Sequence, residues 1–380
     1  MIVERRDTSK WRVSRALLGV VLGTALMAVP VPAAATEGEG VVIPFGAAIS
    51  YGEVGQGAAF PVTGMESTPT GGGYWLVATD GGVFTYGDAD FHGSTGAMAL
   101  NQPIVDMEST PDGTGYWFAA SDGGVFTFGS ALFLGAMGAT PLNSPVVGMA
   151  ASPTGRGYWL VAADGGVFSF GDAEFLGSMG GSPLNSPVTA IAATPSGNGY
   201  WLVAADGGVF SFGDAGYYGS MAGIALNGGV VSIASNPSGS GYWMAGEDGG
   251  VFAFGDALSF GSTTTQAPVV DLAALPQGGG YWLATGRVPD PLAALAYMGE
   301  FLVTCYSLQG YTATGELVHE GGVAVDPQVI PYGTSIYIVD VGWRVANDTG
   351  GSIDGNRLDI WKSSYSECIS FGQQTLSVLK

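Results

Sequence analysis

The chain has 380 residues with a formal net charge of −21; 47% are hydrophobic, only 11% are charged, and it holds 65 glycines and two cysteines. Glycine without a triplet period excludes collagen, and the apolar and aromatic content excludes a disordered chain. So many glycines also exclude a mainly helical protein, since each costs roughly 1 kcal/mol relative to alanine inside a helix. What is left is a turn-rich, mostly β chain, long enough for two or more domains.

Residues 1–15 are basic, and Ala16 to Ala28 form an apolar run ahead of Pro30 and Pro32. Ala33, Ala34 and Ala35 then supply the small residues that a signal peptidase reads. Residues 1–35 therefore have the layout of a secretory signal peptide, and the run is short for a membrane span of about 20 residues. The chain is expected outside the cell or in the cell wall, with no membrane anchor after cleavage. Removing that segment leaves 6 basic against 30 acidic residues, a net charge of −24. A nucleic acid would meet repulsion rather than release counterions, which excludes it as a partner; a neutral or zwitterionic glycan fits better. In an oxidising compartment Cys305 and Cys368 are expected to pair as a disulfide. The competing reading, a nucleophilic cysteine with His319 as its base, needs both thiols to stay reduced outside the cell.

Tyr-Trp recurs at positions 74, 116, 158, 200, 242 and 281, a period of 42 residues four times and then 39. Each unit reads like residues 187–228: an apolar run, a turn, Tyr200-Trp-Leu-Val-Ala, a turn at Asp206-Gly-Gly, Val209-Phe-Ser-Phe, a second turn, and Tyr217-Tyr-Gly-Ser. That is four short strands per unit with Gly and Asp at the corners, the signature of a β-propeller blade. The array opens with Ala48-Ile-Ser-Tyr-Gly, which matches the third strand of a unit, and stops at Tyr281-Trp-Leu-Ala-Thr, the second strand. The two fragments make one blade, so residues 42–286 are expected to form a six-bladed propeller closed by its ends, with no exposed sheet edge at the junction. A β-helix with two rungs per unit is the rival, and it gives no reason for complementary ends.

The six repeated tryptophans (Trp75, Trp117, Trp159, Trp201, Trp243, Trp282) are expected to pack between blades rather than stand as sugar platforms. Asp80, Asp122, Asp164, Asp206 and Asp248 are expected as hairpin-turn residues rather than calcium ligands. Residues 44–285 contain one basic residue, Arg156, and one histidine, His92, which leaves little for acid/base work. The array resembles secreted bacterial tandem repeats built on such units, a resemblance that implies no activity, so any ligand of the propeller stays open.

Arg287-Val-Pro-Asp-Pro breaks the period, and residues 287–298 read as a stiff linker. Beyond it, strand-like runs at 300–306, 322–325, 335–339, 343–347, 358–361 and 374–379 suggest a small closed barrel over residues 299–380. Asp326, Asp348 and Asp359 each sit at a strand end or in a glycine-rich turn beside apolar neighbours, which makes them candidates for raised pKa values. One histidine and no Cys/His cluster leave carboxylate acid/base work on a glycosidic bond as the reaction class these residues support.

Thr312-Ala-Thr-Gly, Ala324-Val-Asp-Pro with Ile330-Pro-Tyr-Gly-Thr, Asp348-Thr-Gly-Gly and Arg357-Leu-Asp together resemble the bacterial 3D domain, named for three aspartates. That family is related to the catalytic barrel of membrane-bound lytic transglycosylase A, and the cysteine pair resembles that of some exported members. The resemblance implies an all-β fold, a double-psi β-barrel after the propeller, and cleavage of peptidoglycan glycan strands without cofactor or metal. By it, Asp359 is the general acid, Asp348 orients Asp359, Asp326 positions a strand or the sugar, and Thr312, Gly350 and Gly351 contact substrate. Ser352 and Asp354 depart from the usual Ala and Lys. Two other readings stay open: a catalytically inactive barrel in a wall-binding protein, and a hydrolase using Asp348 or Asp354 as base.

Overall fold

The computed structural model describes residues 40–54, 60–286, 297–315, 317–319, 321–338, 341–350 and 353–380. The expected signal peptide, residues 1–35, and residues 287–296 of the expected linker lie outside them.

Six three-stranded antiparallel sheets repeat along the array. In the fourth, Val188–Ala193 pairs with Gly199–Ala204, which pairs with Val209–Gly213. The first strand of each blade lies against that of the next, and Val269–Ala274 lies against Val62–Ser67, so the ring is closed, which excludes the rival β-helix. The closing blade takes its third strand from the other end of the array: Val42–Gly46 pairs with Gly280–Thr285. The same seam continues as Val41 N–H donates to Thr285 Oγ1 and Thr285 N–H to the Val41 carbonyl, both at 2.9 Å.

Two expectations are corrected here. The N-terminal match is displaced by six residues: Val42–Gly46, not the segment beginning at Ala48, is the third strand. Gly46 decides it, because it faces Gly280 at φ +68°, where an added Cβ would fall 2.5 Å from the Gly279 carbonyl. The fourth strand is also absent, because side chains take the backbone groups that a ladder would use. In the segment after Val209–Gly213, the Gly216 carbonyl accepts Trp201 Nε1 at 2.7 Å, Tyr218 N–H donates to Tyr242 Oη, and Tyr242 Oη donates to the Gly219 carbonyl. The Ile49 carbonyl likewise accepts Trp282 Nε1, and Gly52 is bonded to Tyr74 Oη. The segment from Ala48 is thus the same rim loop in the closing blade.

The Tyr-Trp dipeptide therefore works in two directions: Trp ties down the rim loop of its own blade, and Tyr that of the blade before. All twelve rings are buried, as inter-blade packing requires. Each Trp also meets the Tyr of the neighbouring blade, with centroids 5.5–6.0 Å apart at all six junctions including the seam. The Asp-Gly-Gly carboxylates accept from the backbone N–H two residues on, as at Asp206 and Gly208 (2.9 Å), which is the turn role.

The first strands enclose an axial cavity of about 330 Å³. Glu66, Asp106, Glu108 and Asp271 project into it from three consecutive blades, and none of its lining residues is basic. Three of these carboxylates bond across blade boundaries: Asp271 accepts from Met65 N–H and Ser232 Oγ, Asp106 from Met149 N–H, and Glu66 from Ser109 Oγ, at 2.7–2.8 Å. Burial raises all four pKa values, that of Glu66 to about 7, and neighbouring acids add to the rise at Glu66, Asp106 and Glu108. In the unfolded chain carboxyls titrate near pH 4, so the folded ring holds protons that the unfolded chain has lost. The stability these groups contribute is complete below that pH and is lost as pH rises through the raised values. The propeller's melting temperature is accordingly expected to fall between pH 5 and 8. Glu66→Gln, which keeps an acceptor for Ser109, should flatten the fall; a profile already flat in the wild type would contradict the account.

At the C-terminus six strands close a barrel in the order Tyr297–Tyr306, Arg357–Trp361, Gly322–Ala324, Gly342–Asp348, Ser335–Ile338, Gln374–Leu379. Alternate residues fill its core, such as Phe301 and Val303, Ile336 and Ile338, Leu358 and Ile360, and Leu376 and Val378. The sequence reading missed a short helix, Tyr365–Phe371, set by a capping box between Ser364 and Glu367. Cys368 on that helix is disulfide-bonded to Cys305 on the first barrel strand, which removes the nucleophilic-cysteine reading. Closing a loop of 63 residues restricts the unfolded chain by roughly 4 kcal/mol in the chain-entropy account. Replacing both cysteines by serine is expected to lower barrel stability by about 2–4 kcal/mol and leave the propeller transition in place, as read by calorimetry.

Candidate functional site

Strand pairing brings two of the three aspartates together. Ala324 is in register with Asp348 on one side and Asp359 on the other, so both carboxylates stand on the strands flanking one small residue. Asp359 lies between the core residues Leu358 and Ile360 and so points to the opposite face, where it is also in register with Thr304. The alternation that builds the core thus sets Thr304, Ala324 and Asp359 on one outer patch.

Asp359 is half-buried, and Thr304 Oγ1 donates to its Oδ1 at 2.9 Å. Burial raises its pKa and the Asp348 charge adds to the rise, while the Thr304 bond and the Arg357 charge oppose it. The carboxyl therefore keeps a proton to higher pH than an exposed aspartate does. Asp348 accepts from Ala313 N–H (2.9 Å) and Thr349 N–H (2.8 Å) through Oδ1, and from Tyr306 Oη (3.0 Å) through Oδ2. Burial, that hydrogen bond and the charges of Asp348 and Asp359 push the Tyr306 hydroxyl pKa upward, so Tyr306 stays a donor.

Thr304 and Tyr306 were missed in the sequence. The available signal was their alternation about Cys305 on one strand, which puts them on the same face as each other. Asp326 does not join the pair: its Oδ1 accepts from Gln328 N–H and its Oδ2 from Gly355 N–H, both at 2.9 Å. These bonds lower its pKa and fasten the turn after Gly322–Ala324 to the start of the Asp359 strand. Thr312 is buried and touches Thr314 Oγ1, in the loop whose Ala313 N–H holds Asp348. Gly350 is exposed and its carbonyl accepts from Ile353 N–H; Gly351 and Ser352 lie outside the described residues. Among the described residues no helix is long and apolar enough to cross a membrane.

Residues 322–380, which contain all three aspartates, match the family model of the 3D domain. The barrel carries a 3D domain. Two curated Bacillus subtilis (strain 168) proteins are similar to this chain. The cell wall-binding protein YocH is 40% identical over 75 residues, 19% of this chain and 26% of YocH. The putative cell wall shaping protein YabE is 32% identical over 82 residues, 20% of each chain. The chain thus spans about a quarter or less of each relative's length. Among solved structures, the β-propeller domain of Cps50 (Swd1) from Myceliophteria thermophila aligns with a TM-score of 0.43 at 9% identity, covering 62% of this chain and 86% of that one. Two of the three aspartates in the matched segment share a patch with Thr304 and Tyr306 of the first barrel strand, and the third fastens a turn.

Proposed function

We propose that the protein is a secreted, wall-associated peptidoglycan-cleaving enzyme, a lytic transglycosylase acting between N-acetylmuramic acid and N-acetylglucosamine, with the propeller as an accessory module. The observation that carries this reading is Asp359: a half-buried carboxyl whose pKa is raised by burial, held by Thr304 and set one residue across from Asp348. Asp359 donates its proton to the glycosidic oxygen as the bond to muramic C1 breaks. The resulting carboxylate then takes the proton of the muramic C6 hydroxyl as that oxygen attacks C1. The product is a 1,6-anhydro sugar, water is not consumed, and the acid is regenerated. A substrate-borne nucleophile explains why one tuned carboxyl suffices where an inverting hydrolase needs a second to activate water. Asp348, fixed by three donors, orients the site and raises the Asp359 pKa, and Asp326 holds the adjoining turn.

A second reading, wall binding without cleavage, is favoured by the name of the relative YocH, a cell wall-binding protein. Incubation of the mature chain with purified peptidoglycan, followed by mass spectrometry of the soluble fraction, separates the cases. Anhydro-muropeptides support the transglycosylase and hydrated reducing ends a hydrolase. Sedimentation with the polymer but no release supports binding alone.

A further inference from the structure

The repeated tryptophans are buried and offer no sugar platform, yet the propeller displays another set of rings. Phe91, Phe133, Phe175 and Tyr217 occupy one position in four consecutive blades, each 57–62% exposed. Each follows the residue whose carbonyl accepts the blade's Trp Nε1 and stands two residues before the glycine whose carbonyl accepts the next blade's Tyr hydroxyl. The backbone beneath each ring is therefore pinned on both sides.

Folding does not need an aromatic there. In the remaining two blades the position is Ser50 or Ser259, and the same pins are present from Trp282 to Ile49 and from Trp243 to Leu258. Four large apolar side chains are thus held out to solvent at a site that serine fills equally well for the fold.

We propose that this arc of the propeller rim is a binding surface for a neutral, polyhydroxylated glycan strand. Flat aromatic faces carry negative quadrupole density and attract the polarised C–H faces of pyranose rings. Exposed carboxylates directly precede two of the rings, Asp90 before Phe91 and Glu174 before Phe175, and accept hydrogen bonds from sugar hydroxyls. The same carboxylates, in a chain with 32 acidic and 11 basic residues, repel nucleic acid and anionic bilayers. Repetition suits a polymer, because several weak stacking contacts along one strand multiply as avidity. The inference does not depend on the barrel being an enzyme.

The test is sedimentation of the full-length mature chain with insoluble chitin, a neutral polymer of N-acetylglucosamine that lacks muramic acid, with anionic phospholipid vesicles in parallel. The comparison chain carries Phe91→Ser, Phe133→Ser, Phe175→Ser and Tyr217→Ser, matching the residue found in the two serine blades. A double change, Phe133→Ser with Phe175→Ser, serves if the quadruple variant fails to fold. Retention on chitin is expected for the parent and should drop at least tenfold in the quadruple variant and measurably in the double, with circular dichroism unchanged. Asp359→Asn should leave retention intact, so loss of catalysis and loss of binding are told apart. Equal retention of parent and rim variants overturns the proposal. So does failure of the parent to bind chitin, preference for vesicles, or loss of self-association as the sole effect of the changes.

Discussion

Asp359→Asn is expected to reduce release of anhydro-muropeptides by about 10²–10⁴-fold, the range by which a positioned acid/base group contributes. The variant is informative because it is nearly isosteric. The Asn carbonyl still accepts from Thr304 Oγ1, so the strand register and the patch are kept while the exchangeable proton is lost. Stability gives an independent check. A carboxyl whose folded pKa is raised costs the fold once pH exceeds that value, so Asn should leave the barrel's melting temperature at neutral pH equal or higher. Loss of both activity and barrel stability would point to a structural aspartate. The neighbour supplies the sign of the pH effect. Asp348 raises the Asp359 pKa, so Asp348→Asn should move the alkaline limb of the pH–rate profile downward. An unmoved limb would mean that Asp359 does not titrate in catalysis.

Trp201→Ala is expected to destabilise the propeller by about 3–5 kcal/mol, the range for truncating a buried aromatic. The loss has three parts: a cavity, the missing bond from Trp201 Nε1 to the Gly216 carbonyl, and the contact with Tyr242 of the next blade at 5.5 Å. Trp201→Phe keeps most of the packing but leaves the carbonyl without its donor, so its cost should be smaller and separate the hydrogen bond from the volume. In contrast, Phe175→Ser on the rim should change stability by no more than about 0.5 kcal/mol. Calorimetry of the three variants decides between a ring held by its dipeptide clamps and one held mainly by strand pairing. If Trp201→Ala cost no more than the rim change, the clamp account would fail.

Much of this was legible in the chain, because repetition makes local patterns redundant. Six copies of Tyr-Trp, spaced by 42 residues and finally 39, pointed to a six-bladed ring closed by its ends, although the N-terminal strand was matched six residues late and the β-helix was excluded only by the ring's closure. Short strand-like runs marked all six barrel strands, and the motifs around Asp326, Asp348 and Asp359 marked the 3D domain. Hydrophobic periodicity and turn chemistry are local, and a sequence carries them directly. What it left undecided depended on which groups meet across long separations. The fourth strand of each blade looks as apolar as the others, and only the Trp and Tyr side chains 15 and 24 residues away show that its backbone is already bonded. Tyr306 became part of the site because a strand 42 residues away presents Asp348 to its hydroxyl. Asp326 was set apart because its oxygens are spent on two backbone N–H groups. The exposed rim aromatics had the same periodicity as buried ones, and burial is a property of the packed ring that no single repeat contains. The sequence determined the repeats, the strands and the acids; tertiary packing decided which rings face water and which carboxyls stand together.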